Sequence, residues 1–219
     1  MPTPKSRVQV LVDKYSSSVG LPFQQLLPES FIAEAIDEEK IKYRQRIFSP
    51  IVTIWAFLSQ VLDSDKTCHK AVSRIIAWLA REGLKIPSED NSAYCQARKR
   101  LPEKILQKLF INVGNELESQ TTPEDSWCGR HVKVLDGSTV SMPDTTDNQE
   151  AYPQPSSQKA GCGFPLAKIM VLFSITTGAA IGIIIDVFKT HDIKFARQLY
   201  NYLNPGDIVL GDRAYECLF

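Results

Sequence analysis

His131-Val-Lys-Val-Leu-Asp-Gly-Ser-Thr139 ends an apolar run on one carboxylate, Asp136, set directly before a glycine. Val132, Val134 and Leu135 suit a pleated, half-buried surface, so this stretch predicts a strand over residues 131–136. Gly137 predicts a sharp turn after it. A carboxylate at the tip of a buried strand is costly unless a hydrogen bond, a cation or a metal compensates it. The arrangement returns in Asp207-Ile-Val-Leu-Gly-Asp212-Arg-Ala-Tyr215. Asp136 and Asp212 are therefore candidates for one site.

Between these two stretches the pattern is strand-like. A long loop rich in Pro, Gln and Ser is expected from about 141 to 165. Ala167 to Ile175 and Ala179 to Phe188 are apolar runs separated by Thr176-Thr-Gly178, which reads as a hairpin. His191-Asp192 opens a helix whose buried stripe is Phe195, Ala196, Leu199, Tyr200 and Leu203, and Asn204-Pro-Gly206 ends it. A helix between strands normally returns the chain parallel to an earlier strand. If the last strand lands beside the first, the two carboxylates sit at neighbouring strand ends, as a shared divalent metal requires.

Upstream the periodicity is helical. Ser30 is a candidate N-cap for a helix over Phe31 to Ile47, acidic early and basic late, which suits the helix dipole. Its Lys40, Lys42, Arg44 and Arg46 read as a solvated face. Ser49-Pro50 opens a second helix with Ile51, Ile54, Trp55, Leu58, Val61 and Leu62 on one stripe. Asp63-Ser-Asp65 ends it and is placed to cap a third, which carries Cys68, Ala71, Val72, Ile75, Ile76 and Leu79 and stops at Gly83. Asn91 or Ser92 caps a short helix, and residues 103–118 form another after Pro102. The short helix holds the one concentrated basic patch, Gln96, Arg98, Lys99 and Arg100, read either as a phosphate-binding surface or as an ordinary solvated turn. Thr121 to Ser126 is polar and turn-rich. It divides the chain into a helical module over 1–125, DNA-binding if the basic patch is a phosphate surface, and an α/β part over 126–219, an α+β chain overall.

Composition narrows the classes without choosing one. The 219 residues are 43% hydrophobic and 23% charged, with zero formal net charge, so no global field points to nucleic acid or membrane. The five cysteines include no CxxC pair, and Cys128 with His131 has no second half of a zinc set. Free thiols in a reducing cytosol are expected. No apolar stretch is long enough to span a membrane, and the N-terminus lacks the apolar core of a signal peptide. A cytoplasmic protein is expected.

Asp136-Gly-Ser-Thr-Val-Ser-Met-Pro-Asp144-Thr, Asn148-Gln149, Tyr152-Pro153-Gln154, Gly163-Phe164-Pro165 and Gly211-Asp212-Arg213-Ala214-Tyr215 resemble, in this order, the DDE transposases of bacterial insertion sequences. The nearest pattern is the subgroup whose third acid lies in a YREK motif. Ser92 to Pro102 is similar to the helical N-terminal region of those proteins, and the resemblance spans residues 30–219.

The resemblance implies a partial RNase H-like catalytic domain in which acids hold two divalent ions, Mg²⁺ or Mn²⁺, with Asp136 first and Asp212 second. The partners implied are double-stranded DNA, as terminal inverted repeats and target, with self-association. Arg213 is placed either to contact a phosphate or to balance Asp212. Asp144 reads as a site support or, following Pro143, as a turn former. Glu216 does not stand in the motif, and the Tyr-x-x-Arg-x-x-x-Glu spacing has no match, so the third acid is expected to be absent and the chain alone inactive. The alternative is a non-catalytic DNA-binding or regulatory fragment of a transposase.

Overall fold

The computed structural model describes residues 20–212, apart from Pro22, Gln45 and Ala160. The readings of Arg213 and Glu216 fall outside the described residues. The chain forms two compact units, one up to Leu109 and one from Phe110 onward.

The first unit is helical: α1 (Phe23–Leu26), α2 (Glu29–Glu38), α3 (Pro50–Leu62), α4 (Cys68–Arg81), α5 (Ser92–Arg100) and the start of α6 (Glu103–Ser119). Ser49 caps α3 by accepting the Val52 N–H at 3.3 Å, with Pro50 at the first helical position where a missing N–H costs nothing. Thr67 caps α4 by accepting the Lys70 N–H at 3.2 Å. Asp63-Ser-Asp65 does not cap α4 but builds the turn before it. Asp63 accepts the Asp65 N–H and Asp65 accepts the Thr67 N–H, each at 3.1 Å. The apolar stripes meet in one core that includes Ile32, Ile54, Trp55, Val72, Ile75, Tyr94 and Ile105. Trp55 donates its indole N–H to the Leu27 carbonyl at 2.7 Å, and its ring stands edge-on to Trp78 with centroids 6.3 Å apart.

One buried ion pair lies against this core. Arg74 donates from Nε and Nη2 to Asp63 Oδ2 at 2.9 and 2.5 Å, with side-chain exposures of 6% and 3%. Burial by itself raises the Asp63 pKa. The Arg74 hydrogen bonds, the Asp65 N–H, and the Arg74 and Lys70 charges outweigh it and hold the carboxyl below its ordinary value.

Helix α2 is shorter than its periodicity predicts: it starts at Glu29 rather than after Ser30 and stops at Glu38 rather than Ile47. The stop is a Schellman turn. Lys40 takes φ +53°, its N–H bonds the Asp37 carbonyl at 3.0 Å, and the Ile41 N–H bonds the Ile36 carbonyl at 3.1 Å. Ile41 then packs on the core beside Ile36. The left-handed position is normally a glycine, so a lysine there leaves no punctuation in the sequence. Residues 41–44 and 46–48 lie in neither helix nor strand.

The second unit is a mixed four-stranded sheet in the order β3-β2-β1-β4. The strands are β1 (Val132–Ser141), β2 (Leu166–Ser174), β3 (Ala180–Val187) and β4 (Ile208–Leu210). Strands β1, β2 and β3 form an antiparallel meander. The chain then passes through a helix, Asp192–Leu199, which follows the short α7 (Thr146–Ala151) in order and is α8. It returns with β4 parallel to β1.

Strand β1 is longer than predicted. Gly137 does not turn the chain. It lies in extended backbone opposite Met170, and pairing continues to Ser141 opposite Leu166. The glycine was read as a turn because the apolar pattern ends there. The strand continues because β2 pairs with it residue by residue from Lys133 to Ser141.

One face of the sheet carries Lys133, Leu135, Met170 and Leu172, all buried. Ala196 and Leu199 of α8 complete this core. Gly182 permits the approach: a Cβ there would stand 2.9 Å from both Leu199 Cδ2 and Tyr202 Cδ2. The later part of α6 also meets the sheet, since a Cβ at Gly114 would lie 3.2 Å from the Ala180 carbonyl oxygen.

Candidate active site

Strand alternation sends residues 133 and 135 to the helix-covered face and residues 132, 134 and 136 to the other. Asp136 is accordingly exposed and lies within β1, not at its tip. Its position therefore carries little desolvation cost. Its Oδ1 accepts the Gly137 N–H at 2.8 Å. Among the described residues no cation forms an ion pair with it.

The parallel ladder pairs Val132 with Ile208, Lys133 with Val209 and Val134 with Leu210. Strand β4 ends at Leu210, and Asp212 follows it outside the strand, at the same sequence offset from Asp136 as the ladder pairs. An extension of the ladder by two residues would put the two carboxylates on neighbouring strands, which lie roughly 4.8 Å apart. Carboxylate oxygens are the hard donors that Mg²⁺ and Mn²⁺ take. The donor type fits a divalent metal, while the described residues hold no group of three or more His, Cys, Asp or Glu side chains that could bind one.

A charged pair missed by sequence reasoning lies three residues before Asp136. Lys133 is buried on the helix-covered face, and its ammonium bonds the Glu118 carboxylate of α6. Glu118 also accepts the Thr177 hydroxyl at 2.9 Å. Burial raises the Glu118 pKa, and the Lys133, Ser174 and Thr177 hydrogen bonds outweigh it, leaving it below the ordinary value. The signal was a lysine at an inward position of an apolar alternation, which demands a partner.

The stretch from 142 to 165 is not a plain loop, since it contains α7. Its amides are knotted to each other. Gln149 donates to Asp144 Oδ1 at 2.8 Å and to the Gly163 carbonyl at 3.0 Å, and it accepts the Gln154 N–H at 3.2 Å. Gln154 accepts the N–H groups of Gly161 and Gly163 and donates to the carbonyls of Gln158 and Lys159. Asn148 donates to the Pro143 carbonyl at 2.9 Å. The motif amides thus satisfy backbone groups that no strand or long helix satisfies. Asp144 is tied into this loop. Asp186 likewise serves its own turn, accepting the Thr190 hydroxyl at 3.0 Å.

In the basic patch, Gln96, Lys99 and Arg100 are exposed. Arg98 turns inward. It donates to Gln60 Oε1 at 3.2 Å and to Cys68 Sγ at 3.5 Å, and its guanidinium lies 4.8 Å from the Phe57 ring centre. Gln60 also accepts the buried Tyr94 hydroxyl at 2.8 Å.

Residues 18–111 match the insertion element 4 transposase N-terminal family, and residues 127–217 match the transposase DDE domain family. The two matches follow one another in the order of the two compact units. The chain belongs to the DDE transposases of insertion elements. It is 24% identical over 214 residues to the transposase InsG for insertion sequence element IS4 of Escherichia coli (strain K12), a match covering 95% of this chain. The chain spans about half, 47%, of that relative's length. No solved structure matches. For a DDE transposase domain, the antiparallel meander with a parallel fourth strand is the RNase H-like arrangement that the resemblance led us to expect. No helix among the described residues is long and apolar enough to cross a membrane.

Proposed function

We propose that the chain is part of a metal-dependent DNA transposase that cuts and joins insertion-sequence ends, with Asp136 and Asp212 as metal-holding carboxylates. What supports this reading is that the two acids stand at the same sequence offset as the paired residues of the parallel β1 and β4 strands in a DDE-family domain. When divalent ions are bound between such acids, the chemistry supplied is activation of the attacking oxygen and stabilisation of the leaving one in an in-line phosphoryl displacement.

The chain's own residues do the rest. The Gly137 N–H holds one Asp136 oxygen and so fixes the carboxylate. The rigid β1–β2 pairing on one side and the Lys133–Glu118 pair beneath fix the strand. The exposed Gln96, Lys99 and Arg100 contact DNA phosphates, which position the duplex without reading its sequence. Arg98 has a different part: it holds Gln60 and Cys68 in place, so it supports the α5 surface from behind. The cytoplasm is where such a protein acts, with end and target DNA as its partners.

Titration of a duplex carrying an insertion-sequence end tests this. Mg²⁺ is expected to strengthen binding, and Asp136→Asn is expected to remove that increment while leaving metal-free binding intact. Absence of any DNA binding would contradict the reading. A second reading is a non-catalytic DNA-binding fragment. It predicts DNA binding with no Mg²⁺ increment.

A further inference from the structure

The end of α2 at Glu38 frees the segment after it to fold back on the turn between α5 and α6. Together they enclose a cavity of about 510 Å³ whose basic lining is Lys42, Arg44, Arg46 and Arg100. Among the described residues no carboxylate lines it. Among the described residues none of the four cations forms an ion pair, and all four are exposed. Tyr43, 43% exposed, adds an aromatic wall. Four like charges facing one cavity repel each other. That arrangement is stabilised when an anion enters. Three of the four are guanidinium groups, whose planar forks match phosphate oxygens two at a time.

We propose that this cavity is a DNA-backbone site, taking successive phosphates of one strand, with Tyr43 against the adjoining sugar or base. The proposal rests on the reading that the chain binds DNA. It extends the contact surface from α5 to the 42–46 segment. A free inorganic phosphate would use only part of a cavity of this size. A strand uses several cations at once.

The experiment is a salt titration of DNA binding by fluorescence anisotropy. It compares the wild-type chain, Arg44→Gln/Arg46→Gln, and the matched charge-loss control Lys66→Gln/Lys85→Gln, whose lysines are exposed and outside the cavity. Each lost phosphate contact lowers the slope of log affinity against log salt by about 0.9. The expected result is a slope smaller by about two in the cavity variant and an unchanged slope in the control. Inorganic phosphate at millimolar concentration is expected not to restore the difference. An unchanged slope in the cavity variant, or an equal fall in the control, overturns the cavity while leaving DNA binding standing. No binding by the wild type overturns the underlying functional reading as well. Circular dichroism melts check that both variants fold.

Discussion

Asp136 and Asp212 are separated by 76 residues, the same offset that pairs Val132 with Ile208, Lys133 with Val209 and Val134 with Leu210. Asp136 lies on the face opposite the buried Lys133 and Leu135. Since Asp136 is exposed and its backbone is held by β2, its side chain contributes little to the fold. Asp136→Asn is expected to melt within about 0.5 kcal/mol of wild type, the range of ordinary surface changes. A large loss of stability in thermal denaturation would mean that the residue serves the fold instead.

Lys40 occupies a left-handed position that costs an L-residue roughly 1–2 kcal/mol and glycine almost nothing. Part of that gain is offset by the unfolded-state entropy of glycine. Lys40→Gly is expected to stabilise the helical unit by about 0.5–1 kcal/mol, read as an upward shift in denaturant midpoint at constant m-value. No gain would show that the turn is not limited by the Lys40 Cβ.

Asp63 and Arg74 form a buried pair, so removing one member strands the other. Arg74→Ala is expected to cost about 3–5 kcal/mol. The pH dependence follows the depressed Asp63 pKa. Its stabilising contribution is fully present above the ordinary carboxylate value of 3.8. It is lost as pH falls through the lower folded value. Acid titration of Asp63→Asn is expected to show a shallower fall in stability below pH about 4 than the wild type. Identical acid limbs would remove Asp63 from the account.

Gly182 lets Leu199 and Tyr202 lie against the sheet. Gly182→Ala forces a methyl group into contacts of 2.9 Å with both and is expected to destabilise the sheet unit by about 1–3 kcal/mol, the usual cost of overpacking. Thermal melts followed by near-ultraviolet circular dichroism would report it. A neutral outcome would show that α8 can slide on the sheet.

The order strand, hairpin, helix, strand was legible because each element announces itself by a period of two or of three and four. The parallel return of β4 to β1 followed from the helix between strands. What the residues hid were departures from local punctuation. Gly137 looks like a stop and is an ordinary extended residue, because its conformation is decided by β2 rather than by its neighbours. Lys40 looks like a helix interior and is the stop. That second departure hid the cavity, since Arg46 and Arg100 are 54 positions apart and meet only once α2 has ended. Arg98 looked like its basic neighbours and turns inward, because at helical spacing it follows Tyr94 onto the buried side. The motif amides Gln149 and Gln154 were legible as a pattern, but their work of binding loop backbone depends on a three-dimensional path that no spacing encodes.

In the proposed site Asp136 and Asp212 hold a divalent ion together. Its most direct measurement is Mn²⁺ binding followed by electron paramagnetic resonance, in the wild-type chain, Asp136→Asn and Asp212→Asn. A saturable loss of the free-ion signal is expected in the wild type, with weakening of at least about tenfold in each variant, the effect of roughly 1.4 kcal/mol. Equal Mn²⁺ binding by all three proteins would contradict it.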